Sequence, residues 1–412
     1  MKKKKSKTNK FKSKLLQYKK DDCNTFSLFE VLIIILISIL FGIIIGYIIT
    51  CSKNPLYSND KNLIEIANVY SNLTTEYYDK VDKNKLSDGA IKGMIESVED
   101  PFTNYMEAEI AKEFNETVKG SFVGVGITVM YEDGYYRIIN IMDDTPASKS
   151  DLKVDDLLIK VNDKDLKDNS EVFKSISKGK VNSKVKLTIK RNDEEKDIVL
   201  KRAEIEIQSV HNRVFDYEGL TIGYVKIDTF SDNSYKQFKK AIERFTKRKV
   251  DRVIIDVRDN PGGQLEQTRE ILSMFFSKKT VLYQIQAKEK TKKVYSMNNS
   301  TQKYPVAILI NEGSASAAEI LASCFKENYK DAVIVGTNSY GKGTIQKAQS
   351  LNSGNSIKYT TDKWLTAKGK WLDKKGVKPT IVIEQSTEYY ENSNYENDSQ
   401  LQEALRQLKE SN

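Results

Sequence analysis

Apolar residues occur first as one uninterrupted run, with Val31-Leu32-Ile33-Ile34-Ile35-Leu36-Ile37 at its start and no charged residue between Val31 and Ser52. At about 1.5 Å per residue, a helix over this run crosses a hydrocarbon core of roughly 30 Å. The pattern then becomes amphipathic. Leu63, Ile66, Ala67 and Tyr70, followed by Ile91, Met94, Ile95 and Val98, recur at helical spacing and predict a small helical region. From Phe122 the period shortens, predicting strands over 123–130, 135–141, 156–161, 184–190 and 196–200 with a helix near 170–177, a small mainly β module. Beyond it, strands at 222–227, 253–257, 306–310 and 332–335 alternate with helices at 235–245, up to Phe276, and along the stripe Ala317, Ile320, Leu321, Cys324. Alternation of this kind predicts an α/β core built from βαβ units. Residues 386–400 are polar and read as loose, and Leu401, Leu405 and Leu408 mark a short amphipathic helix.

These shifts divide the chain into a Lys-rich tail (1–28), a membrane-spanning helix (29–52), a helical region (53–118), the β module (119–203), the α/β core (204–385) and a polar tail with a short helix (386–412). The 412 residues carry a formal charge of +9, and residues 1–22 alone hold ten Lys against Asp21 and Asp22. The rest is nearly neutral, which argues against a nucleic-acid-binding face. A basic flank on the amino-terminal side of an apolar helix places that flank in the cytoplasm and the later domains outside. A cleaved signal peptide is the second reading, although its apolar part is usually shorter. Gly42 and Gly46 have the small-xxx-small spacing of packed membrane helices, a weak signal alone. Cys23, Cys51 and Cys324 make no disulfide framework.

Candidate chemistry lies at strand ends. After 306–310 the chain reads Asn311-Glu312-Gly313-Ser314-Ala315-Ser316-Ala317-Ala318-Glu319, setting Ser316 at a helix amino terminus where free N–H groups favour negative charge. A helix cap uses the same residues, Ser316 with Glu319 three positions on, and on local sequence alone the cap is the simpler reading. A serine nucleophile needs a base, and the one histidine, His211, falls in a linker-like stretch. A lysine serves instead when burial disfavours its ammonium form. Lys342, within Tyr340-Gly341-Lys342-Gly343-Thr344, is the candidate. Asp256-Val257-Arg258-Asp259-Asn260-Pro261-Gly262-Gly263 ends another apolar strand, and its glycines can offer N–H groups to an oxyanion, or simply make a strand-to-helix turn.

In this order, Phe122-Val123-Gly124-Val125-Gly126, Asp256 through Gly263, Gly313-Ser314-Ala315-Ser316-Ala317 and Gly341-Lys342-Gly343 resemble the carboxyl-terminal processing peptidases, or tail-specific proteases, over residues 60 to 385. The resemblance implies a protease core of crotonase/ClpP-like βαβ units with an inserted PDZ domain, which the apolar helix and its basic flank would make a single-pass protein of the bacterial cell membrane. It implies Ser316 as nucleophile, Lys342 as general base and Gln346 as the residue orienting Lys342, with backbone N–H groups of Ala317, Gly262 and Gly263 as the oxyanion hole. Phe122, Gly124, Val125, Gly126 and Ile127 would capture substrate carboxyl termini. Ala318 stands where many relatives have serine. The expected reaction uses no metal or cofactor, the expected substrates are proteins or peptides with free apolar carboxyl ends, and a homodimer is implied. A non-catalytic PDZ scaffold and another acyl-transfer enzyme are the rival readings.

Overall fold

The structure, a computed structural model, describes residues 28–53, 60–299 and 301–410. The Lys-rich tail with Cys23 and the side chain of Cys51 lie outside the described residues. The chain divides into two compact units, Met1–Ala90 and Ile91–Asn412. In the first, α1 (Leu28–Lys53) contains the 19-residue apolar stretch Phe29–Tyr47, none of it buried. Apolar residues around its whole circumference leave no polar face for water, so length and composition allow it to cross a membrane. α2 (Lys61–Thr75) is started by Asp60, whose Oδ1 accepts from the Asn62 N–H at 3.0 Å. α3 (Lys83–Glu96) begins here and ends in the second unit.

The second unit continues with β1 (Asn104–Met106) and α4 (Ala108–Lys119). Gly120, left-handed at φ +69°, closes α4 by donating to Glu116 and Thr117 carbonyls. The β module comprises β2 (Ser121–Gly124), β3 (Ile127–Glu132), β4 (Tyr135–Ile141), β5 (Leu157–Val161), β6 (Lys164–Asp165), α5 (Ser170–Lys174), β7 (Lys184–Arg191), β8 (Glu194–Lys201) and β9 (Ala203–Glu206). Its sheet runs β3-β4-β5-β7-β8 with β6 on β5, so β3 is an edge. Val185, Leu187 and Ile189 of β7 are fully buried while Lys184 and Lys190 face water, the period-two pattern of a half-buried strand. The single strand predicted over 123–130 is in fact two. Gly126, at φ +87°, turns the chain where any Cβ would come within 2.3 Å of Thr145, and β2 leaves the module's sheet to pair with β9.

The core follows as β10 (Val210–Tyr217), β11 (Leu220–Ile227), α6 (Ser234–Lys247), β12 (Arg252–Asp256), α7 (Leu265–Ser273), β13 (Val281–Ala287), β14 (Lys290–Tyr295), β15 (Val306–Ile310), α8 (Ala317–Asn328), β16 (Val333–Gly336), β17 (Thr344–Ser350), β18 (Ser356–Thr366), β19 (Ile381–Val382), α9 (Thr387–Glu391) and α10 (Ser399–Glu410). One sheet has the order β10-β11-β12-β15-β16-β19, parallel from β11 onward. β15 is apolar throughout because both its faces are covered. Val306, Ile308 and Ile310 pack with Phe238, Ile271, Leu321 and Phe325, while Ala307 and Leu309 pack with Leu401, Leu405 and Leu408 of α10. Truncating one such leucine to alanine costs about 2–5 kcal/mol. A second, antiparallel sheet orders β1-β18-β13-β14 with β17 on β18, so β1, which precedes the β module in sequence, lies beside a strand that follows it.

Residues 386–400 are more ordered than their polarity predicts. Asp398 is buried because the Arg258 guanidinium lies beside it, with Nη2 2.8 Å from Asp398 Oδ2 and 2.6 Å from Asp256 Oδ2. A buried guanidinium requires such partners, and Asp398 lies too far along the chain for local pattern to reveal it.

Candidate active site

β12 and β15 are neighbours, so the loops that follow them emerge side by side at the carboxyl end of the parallel sheet, where α/β folds form their sites. Hydrogen bonds tie the two loops together. Ser314 Oγ donates to the Val257 carbonyl at 2.7 Å, and the Ala315 N–H donates to the Asn260 carbonyl at 2.9 Å. Asn311 Oδ1 accepts from the Asp259 N–H at 2.8 Å. Ser316 is thereby held at φ +55°, ψ −111°, a backbone conformation non-glycine residues rarely adopt, at the amino terminus of α8.

Glu319 shows what maintains that strain. Its carboxylate is fully buried, and Oε2 accepts from the N–H of Ser316 at 2.8 Å and of Lys342 at 2.9 Å. Oε1 accepts from Ser339 Oγ at 2.6 Å and the Gly341 N–H at 2.7 Å. One carboxylate therefore fastens the Ser316 turn to the Lys342 turn. In sequence Glu319 is visible only as half of a capping box, because the second half of its role is non-local.

The glycine loop is arranged more specifically than its sequence indicates. The Gly262 N–H is committed to Asn260 Oδ1 at 2.8 Å, whereas among the described residues the N–H groups of Gly263 and Ala317 have no acceptor. Gly262, at φ +103°, has its value in what it lacks, since a Cβ there would approach Ser316 Cβ to 2.9 Å and the Ala317 nitrogen to 3.0 Å. The two free donors belong to the residues next to this contact, Ala317 following Ser316 and Gly263 following Gly262.

Lys342 is half-buried. Its backbone carbonyl accepts from Trp364 Nε1 at 2.6 Å, and Nζ lies 4.8 Å above the centre of the Phe102 ring. Burial, helped by the charge of Lys358, moves its pKa below the usual lysine range, while Asp100 and Glu319 pull the other way. Among the described residues no hydrogen bond joins Nζ to Ser316 Oγ. Gln346 Nε2 donates to Thr344 Oγ1 at 2.9 Å and to Thr360 Oγ1 at 3.2 Å rather than reaching Lys342. His211 pairs with Asp228 at 2.9 Å on a half-exposed strand face, and Cys324 is buried with its thiol pKa pushed up by burial.

Residues 221–383 match the profile of peptidase family S41, residues 123–201 that of a PDZ domain, and residues 49–110 that of the activating protease CtpB N-terminal domain. Among solved structures, the photosystem II D1 C-terminal processing protease aligns with 79% of this chain and 93% of its own, at 23% identity and a TM-score of 0.46. The carboxy-terminal processing protease CtpB of Bacillus subtilis is 39% identical over 332 residues, 79% of this chain and 68% of that protein. CtpA of the same organism is 36% identical over 330 residues, 79% of this chain and 70% of its own. The chain belongs to peptidase family S41. It is a carboxy-terminal processing serine protease with a PDZ domain.

Within the protease, the residues expected to read substrate ends divide into two groups. Phe122 and Gly124 lie on β2, paired with β9, and the Phe122 ring packs against Gly124. Val125, expected among the capture residues, has its side chain buried in the PDZ core, so only its backbone can take that role. The Val125 and Gly126 N–H groups have no acceptor among the described residues, and Ile127 begins the edge strand β3.

Proposed function

We propose that the protease is anchored by α1 in a bacterial cell membrane with its catalytic region outside, and that it cuts peptide bonds by a Ser316/Lys342 acyl-enzyme mechanism. The observation that carries this reading is the four-fold use of Glu319, which fastens the turn of a strained serine to the turn of a half-buried lysine. Neutral Lys342 removes the Ser316 Oγ proton as Oγ attacks the scissile carbonyl carbon, and the carbonyl oxygen takes the negative charge opposite the Gly263 and Ala317 N–H groups. The resulting ammonium returns its proton to the leaving amine as the C–N bond breaks. Lys342 then deprotonates a water, whose oxygen attacks the ester carbon, and the ammonium returns the proton to Ser316 Oγ as the ester C–O bond breaks and the new carboxyl end is released. Gln346 is taken as the residue that holds Lys342 to this path. Because a lysine side chain has several rotatable bonds, Nζ can leave the Phe102 ring and reach Oγ once substrate fills the site.

Substrate selection is assigned to the PDZ domain. An apolar carboxyl end adds as a strand to β3, its carboxylate received by the Val125 and Gly126 N–H groups, with Ile127 at the start of the groove. The PDZ domain is read as an insertion in a crotonase/ClpP-like core, a reading supported by the pairing of β1 with β18 across it. A homodimer belongs to the same reading. Detergent-solubilised full-length protein, incubated with a protein of known termini, should give product masses that disappear in Ser316→Ala. Undiminished cleavage by that variant would overturn the assignment, while acyl transfer without peptide cleavage would favour the rival acyl-transfer enzyme. Membranes washed in high salt should retain the protein, because salt screens the Lys-rich tail but not a spanning helix.

A further inference from the structure

We propose that Asp100 is a positioning residue for the catalytic base, fixing the orientation of the Gln346 amide through Thr360 and presenting its charge to Lys342. The inference rests on the reading of Lys342 as base. Asp100 lies in the turn between α3 and β1, where Oδ2 accepts from Thr103 Oγ1 at 2.6 Å and Thr360 Oγ1 at 2.6 Å, and Oδ1 accepts from the Phe102 N–H at 3.1 Å. Thr103 Oγ1 also accepts from the Thr360 N–H at 3.1 Å, so this turn is seated on β18.

The donor and acceptor logic runs one way. A carboxylate can only accept, so the Thr360 hydroxyl proton must point at Asp100, leaving its oxygen to accept. What approaches that oxygen, at 3.2 Å, must then be the donor end of the Gln346 amide. Nε2 is held there and by Thr344, so Oε1 remains the amide atom able to accept from the Lys342 ammonium. Asp100 stays ionised: burial opposes its charge, but the hydrogen bonds of Thr103, Thr360 and Phe102 and the charge of Lys342 outweigh burial and hold its pKa below the usual carboxylate range. The charged groups facing Lys342 are Asp100, Glu319 on α8 and Lys358 on β18, and Asp373 holds the neighbouring Gly343 N–H at 3.0 Å.

The test is the pH profile of the full-length protein in detergent, using a quenched fluorescent peptide with a free apolar carboxyl end. In Asp100→Asn the amide can donate to Thr360, which frees the Gln346 amide to reverse, and kcat at the high-pH plateau should fall about ten-fold with little change in KM. Loss of the negative charge lowers the Lys342 pKa, so the acid limb of kcat/KM should move to lower pH by about half a unit. Thr360→Val should lower kcat without moving the limb, and Thr360→Ser should restore it. An Asp100→Asn profile with an unmoved limb, or equal kcat in the two Thr360 variants, would overturn the inference. If Asp100→Asn does not fold, the Thr360 pair alone decides. An active Lys342→Ala would instead remove the reading on which the inference rests.

Discussion

The Ser316 turn and the Gly124–Ile127 corner are both sharp strand-end bends, and they are built on opposite principles. Around Ser316 the backbone is held by the buried Glu319 carboxylate and by bonds from Ser314, Ala315 and Asn311, leaving free donors at Ala317 and Gly263. At the PDZ corner the N–H groups of Val125 and Gly126 are free, no charged side chain is hydrogen-bonded to them among the described residues, and the strand beyond is an edge. Chemistry requires reacting groups fixed before substrate arrives, whereas tail capture requires an open row of donors that the substrate itself completes. Damage to the first region should therefore appear in kcat, and damage to the second in KM.

The largest effect should follow from removing Ser316 or Lys342. Each alanine variant should lose peptide hydrolysis by about a thousand-fold or more, and the double variant should be no worse than either, because the proposed mechanism makes the two one proton-transfer unit. Unchanged melting temperatures would show that the fold survives. Additive losses, or appreciable turnover in one variant, would break the comparison at its stronger side.

Glu319→Gln comes next, since it turns one acceptor oxygen into a donor facing N–H groups that cannot reverse. Stability should fall by about 2–4 kcal/mol, read by denaturant unfolding. Among the molecules still folded, kcat should fall about a hundred-fold, because the serine and lysine turns lose their common tie. A variant with normal kcat would mean that Glu319 serves the helix cap alone.

On the capture side, amidating the substrate's carboxyl end should raise KM about ten-fold and leave kcat nearly unchanged, because a neutral amide cannot match a carboxylate over two N–H donors. Gly126→Val should act in the same direction, since the left-handed φ of +87° and the nearby Thr145 exclude a branched side chain. Equal cleavage of amidated and free-acid peptides at subsaturating concentration would make the PDZ domain a docking element rather than a reader of tails.

How far the sequence discloses each region follows from how local its determinants are. β12 and β15 are buried on both faces and read as short apolar runs, and Ser316 and the Gly262-Gly263 turn follow them, so the candidate site is legible in outline. Asp100 and Thr360 are not visible, because each satisfies a local turn or strand pattern and they meet only through the pairing of β1 with β18. In β18 the stretch Ser356-Ile357-Lys358-Tyr359-Thr360 alternates polar and apolar residues, yet Ser356 is buried and Lys358 and Thr360 are half-buried, so the face that looks solvent-directed in sequence is covered. Phe122 and Val125 both fall within the capture motif, yet Val125 packs into the PDZ core while Phe122 stays half-buried on β2, a difference the motif does not show.

The smallest expected effect gives the finest test of the contrast. Lys358 is half-buried on β18, its Nζ 5.4 Å from the Phe114 ring centre, and its positive charge helps to keep Lys342 below the usual lysine range. Lys358→Gln removes that repulsion, so the folded-state pKa of Lys342 rises and a smaller fraction of the base is neutral at a given pH. The acid limb of kcat/KM should move to higher pH by about half a unit, opposite in sign to Asp100→Asn, making the variant about three-fold slower near neutral pH. Above the limb the two enzymes should converge, because Lys342 is then neutral in both. KM for the free-acid peptide at that plateau should be unchanged, since no step of tail capture involves Lys358. A shift to lower pH would mean that Lys342 is not the group titrating in the profile, and a changed plateau KM would mean that the catalytic and capture regions are coupled through β18 rather than separable.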